Sequence, residues 1–595
     1  MTKKTKGFTL VELIVGIAVF LVIIVAVYNA YIGVFNVVYA SRAKIEAIAL
    51  VNEQLEIARN LPYSDVGEVS GIPNGKLTHS QTITRDAYQY NVLTTVRNVD
   101  DPFDGTLGGV PNDLSPSDYK IVEIEISCLS CVKPFTPIVI TTRVAPKNLE
   151  TASNNGALFV RVFDANGNPV PDASVHIENN TVNPAIIIDD STNSNGLLQV
   201  VDAPPGVNAY EITVTKSGFS TDKTYPATVP NPHPTKPFAT VVLQQVTQLS
   251  FIIDKLSSFA VSSVTNTCTP VPGIDFTLLG SKTIGTNPIV YKYNQSLVTN
   301  GSGLLSLPNM EWDAYTLTNT DSSYDLIGIN PLSPLSLSPN SGQNVQLVVA
   351  PKNPDTLLVT VHDSVTGLPL SGVSVELTKA GYDVTESTGQ GFLGQTDWSG
   401  GSGQATSTDL TKYFASDGNI ETQLPIGDVV LKKISGSYVS NGNLTSSSYD
   451  TGSANNFGQL NWNPHDEPVS VGTPNVRVQI ATNNDGGTWN FTGPDGTAGT
   501  YYTNANKNIA AGNNGRRYLR YKLFLDSAVT NATPNISDLS FTFTSQCTPP
   551  GQVSFSGLSS GTYNLHMTKD GYNTQDVPVD ITSAWQSMDI VFAPL

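Results

Sequence analysis

The sequence predicts a long N-terminal α-helix carrying a small α+β head, followed by an all-β body of sandwich domains. Three observations predict it. An apolar run over residues 8–32 continues in helical spacing to Leu61-Pro62. Only 14% of the residues are charged while Gly (48) and Pro (38) are plentiful, the composition of short strands joined by turns. A unit of roughly a hundred residues, the size of one sandwich, recurs along the chain. At 595 residues the chain has room for roughly four to six domains.

The helix comes first. Lys3, Lys4 and Lys6 precede the apolar run as in a secretory signal, but no small-residue cleavage site follows it. The run exceeds the roughly 20 residues that cross a bilayer, and the basic flank is expected to stay cytoplasmic while the rest is exported. Beyond it, "NVVYASRAKIEAIALVNEQLEIARNLP" places Val38, Ile45, Ile48 and Leu55 near a 3.6 repeat, so one continuous helix of about 50 residues is expected. Glu12 is the only charge in the apolar run. A carboxylate at membrane depth costs roughly 2 to 3 kcal/mol, so Glu12 calls for a partner. The formal net charge of −18 supplies no basic patch for nucleic acid, and no nucleic-acid partner is expected.

The residues Gly7-Phe8-Thr9-Leu10-Val11-Glu12 resemble the type III leader of type IV pilins and type II secretion pseudopilins. The resemblance implies a leader over residues 1–7, cleavage after Gly7 by a prepilin peptidase, and methylation of the new amino terminus on Phe8. It makes residues 8–61 the transmembrane and assembly helix. It implies that Glu12 pairs with the amine of Phe8 on a neighbouring subunit in a fibre, a pairing that makes the buried charge tolerable. The partners implied are other pilin or pseudopilin subunits, the peptidase, and the membrane through the helix. The location implied is the cytoplasmic membrane as a single-pass precursor, then a fibre at the cell surface.

Residues 62–150 resemble the β head of that family. Three strand-like runs follow the helix: "KLTHSQTITRDAYQYNVLTTVRNVD", "DYKIVEIEISC" and "PIVITTRVAP". Between them an acidic loop carries Asp100, Asp101, Asp104, Asp113 and Asp118. Several pseudopilins hold calcium in the equivalent loop, so Asp100, Asp101, Asp104 and Asp118 are candidate ligands, against the plainer reading of a solvated turn. The four cysteines should mature in an oxidising compartment and allow three pairings. Cys128 and Cys131 read as a local disulfide at a strand end. Whether Cys268 and Cys547 meet stays open.

Three stretches align beyond residue 150: "VRVFDANGNPVPDASVHIEN", "TCTPVPGIDFTLLG" and "VTVHDSVTGLPLSGVSVELTKAG", with a shared turn starting at Pro169, Pro270 and Pro369. A second half with a strand carrying Tyr210 or Tyr315 follows in the first two units. In the third it returns at the far end of the chain, around Tyr563. The expected units are therefore 151–248, 249–352, and a discontinuous third of 353–396 with 547–595, interrupted by an insert over 397–546. The repeated pattern resembles carboxypeptidase regulatory-like and collagen-adhesin B-type domains, which implies three immunoglobulin-like sandwiches and no catalysis. Some of those domains carry a Lys-Asn isopeptide bond, but no Lys stands in the first strand of units one and three, so none is carried over.

The insert alternates well in "YLRYKLFL" and "VRVQIAT" and is expected to be a jelly-roll-like sandwich. Trp398, Trp462, Trp489 and Tyr501 are candidate ligand aromatics for a surface glycan or protein, against their use in the insert's own core. The six His are scattered, with no HExxH or GxSxG, and "HDEP" at His465 reads as a surface loop, so no enzyme and no cofactor other than calcium is expected. The expectation is a minor type IV pilin or pseudopilin, a low-copy or tip subunit with a large modular ectodomain used in adhesion. The alternative is a membrane-anchored surface-binding protein that never polymerises.

Overall fold

The computed structural model describes residues 9–86, 88–131, 133–147, 153–464, 467 and 469–595. One long N-terminal helix is followed by an all-β body of many sheets. The chain folds as two compact units: one runs to Leu256 and takes in Thr283–Val290, the other holds Ser257–Lys282 and Tyr291–Leu595.

In the first unit the helix spans Leu10–Asn60 and ends where Pro62 cannot continue it. Its second half seats on a four-stranded antiparallel sheet, Ser80–Arg85, Tyr88–Val99, Tyr119–Cys128 and Ile138–Val144, paired in chain order. The first of the three expected strand runs is thus a hairpin of two strands. Val122, Ile124 and Ile126 alternate inward and meet Tyr90 and Val92 beneath the helix. The helix stripe that meets them is Ala43, Ala47, Leu50, Val51, Leu55 and Ala58. Of the four apolar positions taken from the sequence only Leu55 lies there; Val38, Ile45 and Ile48 are exposed. Small alanines let the helix approach the sheet closely, which periodicity of large side chains does not reveal.

The rest of the first unit is a two-sheet sandwich. Gly156–Phe163 lies between Leu197–Ala203 and Val246–Ile252, pairing with the latter in parallel. The facing sheet is built on Ser174–Asn179, Ile186–Ser191 and Gly206–Thr215. The expected boundary at 248/249 falls inside the strand Val246–Ile252, so the sandwich extends past it.

The second unit contains two sandwiches of the same pattern and a larger one. In the first, Ser257–Val264 pairs in parallel with Gly342–Pro351, and Asp275–Gly280 and Asp313–Asn319 lead the opposing sheet. In the next, Asp355–Asp363 lies between Gln552–Leu558 and Trp585–Phe592, while Ser374–Lys379 lies between Tyr382–Ser387 and Gly561–Thr568. Both of its sheets therefore mix strands from before residue 390 and after residue 551.

The aligned repeat positions do the same local work in each sandwich. Pro169, Pro270 and Pro369 close bridges to Phe163, Val264 and His362 at the end of the first strand. Gly196, Gly303 and Gly551 sit at φ between 66° and 71° and their carbonyls accept from Val162, Ser263 and Val361, each at 2.8 Å. A Cβ there would come within 2.5 to 2.8 Å of those same residues' carbonyl oxygens, so only glycine fits. The tyrosine hydroxyls are anchored to nearby backbone: Tyr210 donates to the Pro204 carbonyl at 2.6 Å, Tyr315 to that of Glu311 at 2.7 Å, and Tyr563 accepts from Ser559 N at 3.0 Å.

The larger sandwich carries an eight-stranded sheet in which Asp538–Thr544, Tyr449–Asn463 and Arg516–Asp526 are central, with a three-stranded sheet of Ile420–Gln423, Ile426–Leu431 and Asn535–Ile536. Gly391–Gln395 forms its edge by pairing with Asp538–Thr544. The expected start of the insert at 397 is therefore late: the chain leaves the smaller sandwich at the turn where Gly389 N donates to the Gln552 carbonyl.

Candidate functional site

Thr9 caps the long helix. Its Oγ1 accepts from Glu12 N at 3.3 Å, and Glu12 Oε2 accepts from Thr9 N and from Thr9 Oγ1, both at 2.9 Å. This reciprocal box satisfies two of the donors that a helix start leaves open. It also holds the Glu12 carboxylate at the end of a predominantly apolar, exposed half-helix, from Leu10 to beyond Ile32. Glu12 thus has an intrachain partner that the apolar pattern did not signal, although Thr-x-x-Glu was there to be read. Gly7 and Phe8 lie outside the described residues. The helix is long and apolar enough to cross a membrane.

Past the apolar half, Ile45, Ile48 and Ile57 stay exposed on the helix faces turned away from the head sheet. Polar side chains add to the apolar seat of the head on the helix and on the segment that follows it. Tyr90 donates its hydroxyl to the Ala43 carbonyl at 3.0 Å, and the buried Lys120 ammonium donates to the Tyr63 and Val66 carbonyls at 2.9 and 2.6 Å. Burial holds Lys120 below the usual lysine range. In the same unit Arg97, on the head sheet, grips Asp190 of the sandwich.

The acidic loop turns its carboxylates on its own backbone. Asp100 Oδ2 accepts from Leu107 N at 2.9 Å, Asp101 Oδ1 from Phe103 N at 3.2 Å, and Asp118 accepts from Asp101 N. Burial pushes the Asp100 carboxyl up, and Asp100 Oδ1 is buried without a hydrogen-bond partner. Asp113 Oδ2 in the same loop is likewise buried without one, and such orphaned oxygens are the feature a cation would explain. Yet among the described residues no group of three or more His, Cys, Asp or Glu side chains is placed to hold a metal. Asp100, Asp101 and Asp118 each spend a carboxylate oxygen on turn backbone, and calcium at the set Asp100, Asp101, Asp104 and Asp118 is not supported.

Cys128 and Cys131 are bonded to each other at the end of a head strand, with Cα atoms 5.8 Å apart. Cys268 and Cys547, 279 positions apart, are also bonded. Sequence left that pairing open, since only folding brings the two "CTP" segments together. Of the insert's candidate aromatics, Trp398 and Trp462 are core residues with 0% and 1% exposure and offer no face to a ligand. Trp398 instead donates its indole N–H to the Tyr521 hydroxyl at 3.0 Å. Trp489 stacks under the Arg520 guanidinium and Tyr501 under that of Arg477, so these two rings hold cations of their own chain. His465 lies outside the described residues.

A family model described as a prokaryotic N-terminal methylation motif matches residues 2–28. No curated protein sequence matches the chain. Among solved structures the chain is similar to the Bacillus anthracis TIE protein at 11% identity, over 87% of this chain and 73% of that one, with a TM-score of 0.16. It is similar to a streptococcal ancillary pilin at 11% identity, over 74% and 99% of the two chains, with a TM-score of 0.15. A third is the shaft pilin SpaA of Lactobacillus rhamnosus GG, at 11% identity over 33% and 98%, with a TM-score of 0.14.

Proposed function

We propose that this chain is a minor type IV pilin or pseudopilin, a low-copy or tip subunit whose ectodomain serves adhesion at the cell surface. The observation that carries the reading is the methylation motif set at the start of an apolar, fully exposed half-helix whose other half is packed on a small sheet. In this reading a peptidase cuts between Gly7 and Phe8, and the apolar half-helix leaves the bilayer for a fibre core. There Glu12 exchanges its Thr9 partners for the amine of a neighbour's Phe8. The exposed Ile45, Ile48 and Ile57 are the faces available to neighbouring helices. The beads would be a head, three immunoglobulin-like sandwiches and an inserted one. So bulky an ectodomain on a helix about 10 Å across would crowd a continuous shaft, which favours sparse or terminal placement.

One observation favours an anchored surface protein that never polymerises: Thr9 already satisfies Glu12 within its own chain. Mass spectrometry of the exported protein tests processing. A chain beginning at N-methylated Phe8 is expected, and an exported chain that still begins at Met1 would count against the proposal.

A further inference from the structure

A recess of about 610 Å³ opens within the second unit where its three sandwiches meet. Its walls are largely apolar, with Ile327, Leu393 and Phe555 among them. Among the described residues three carboxyl groups also line it, Asp325, Glu386 and Asp538, with no lysine, arginine or histidine. Two of the three are already engaged. Asp325 accepts from the Thr356 hydroxyl at 2.8 Å and has the Lys352 ammonium at 3.9 Å, and Asp538 accepts from the Asn463 amide at 2.7 Å.

Glu386 differs. It is 4% exposed, and among the described residues none donates a hydrogen bond to its carboxyl group. A buried carboxyl without a donor is costly, and such a group facing a cavity is characteristic of a ligand site. Its complement is a cation. The metal-ligand groups a bare ion needs are absent among the described residues, and the apolar walls call for hydrocarbon. We infer that the recess binds a small primary amine, whose ammonium group meets Glu386 and whose hydrocarbon part lies on Ile327, Leu393 and Phe555. Nothing in this inference depends on fibre assembly.

Protonation follows from the surroundings. Burial first, then the charge of Asp538, pushes Glu386 up to about 8. Among the described residues the other titratable groups around it are Tyr382 on its own strand, Asp325 and Lys352 from the preceding sandwich, and Asp538 from the larger one. At pH 7 the empty site holds Glu386 protonated. An arriving ammonium favours the carboxylate, so binding releases a proton and tightens as pH rises from 6 to 8.

The test is calorimetric titration of the full chain in neutral-detergent micelles with n-hexylammonium, in two buffers of different ionisation heat, with hexan-1-ol as the uncharged match. Saturable binding with proton release is expected, weakened at least about tenfold by Glu386→Gln and likewise for hexan-1-ol, as when one partner of a desolvated charge pair is removed. Glu386→Gln keeps the shape of the side chain and removes a buried ionisable group, so the variant is expected to fold. Leu393→Trp fills the recess without touching Glu386 and is also expected to lose binding. Absence of saturable binding by wild type, or equal affinity of wild type and Glu386→Gln, overturns the inference.

Discussion

Arg97 holds Asp190 by two parallel hydrogen bonds, Nε to Oδ2 at 2.6 Å and Nη2 to Oδ1 at 2.5 Å, joining the head sheet to the sandwich behind it within the first unit. Asp190 is nearly buried, with 5% of its side chain exposed, so the pair is more than a surface contact. Arg97→Ala would strand that carboxylate and is expected to destabilise the first unit by about 3 kcal/mol, the usual cost of orphaning one partner of a buried pair. Denaturant unfolding followed by hydrogen exchange should show the loss in the first unit while the second keeps its protection. Asp190→Asn, which keeps hydrogen-bonding atoms, should cost less.

The Cys268–Cys547 bond links two segments 279 positions apart in the second unit, with Ser545 Oγ also donating to the Asn266 carbonyl at 3.0 Å. Replacing both cysteines with serine is expected to lower the stability of this unit by about 2 to 4 kcal/mol. Alkylation of the denatured, unreduced protein should label no thiol, and labelling of Cys268 or Cys547 would contradict the pairing.

Gly551 tests the discontinuous sandwich. It sits at φ 68°, and a Cβ would lie 2.8 Å from the Val361 carbonyl oxygen, in a strand about 190 residues earlier in the chain. Gly551→Val is expected to unfold this sandwich selectively, costing about 2 kcal/mol or more. Unchanged stability would mean that residues 552–558 do not seat against that first strand.

Much of this architecture was legible in the sequence because it is local or repeated. The apolar run and Pro62 mark the helix, and the alternation of Val122, Ile124 and Ile126 marks a strand. The recurring Pro, Gly and Tyr positions mark equivalent turns and anchors, since each performs one backbone task in every sandwich. What depended on distant contacts was not legible. Ala43 and Ala47 look like bland helix formers until the sheet beneath them is known. Gly391–Gln395 reads as part of one sandwich and pairs in another, because strand pairing across a turn of a few residues has no local signature. Trp398 and Trp462 have the composition of a ligand platform and the burial of a core. Glu386 is an ordinary strand glutamate in sequence; only the meeting of three sandwiches makes it an isolated carboxyl.

The pH dependence of stability gives Glu386 a separate check. Its carboxyl rises from an ordinary 4.5 to about 8 on folding, so between those values the folded state holds a proton that the unfolded chain has lost. Stability is therefore expected to be retained below about pH 4.5 on this account and to fall as pH rises towards 8, by up to about 1.4 kcal/mol per pH unit. Glu467, which burial pushes up to about 7, contributes with the same sign. Glu386→Gln should remove the Glu386 share of that slope and leave the Glu467 share. An identical slope in wild type and variant would mean that Glu386 is ionised in the folded protein.

Assembly through Glu12 is measured most directly by the incorporation of a Glu12 variant into fibres. Glu12→Gln keeps the length of the side chain and an acceptor for Thr9 N, so the helix cap and membrane insertion should survive. A neighbour's amine would then enter an apolar fibre core unpaired, at a cost of about 3 to 5 kcal/mol. Wild type and Glu12→Gln are to be expressed equally, the cells sheared, and the protein compared in the fibre and membrane fractions. We expect wild type in the sheared fibres and Glu12→Gln retained in the membrane as a processed chain. Equal incorporation of the two would contradict the account and favour an anchored protein in which Glu12 does no more than cap its own helix.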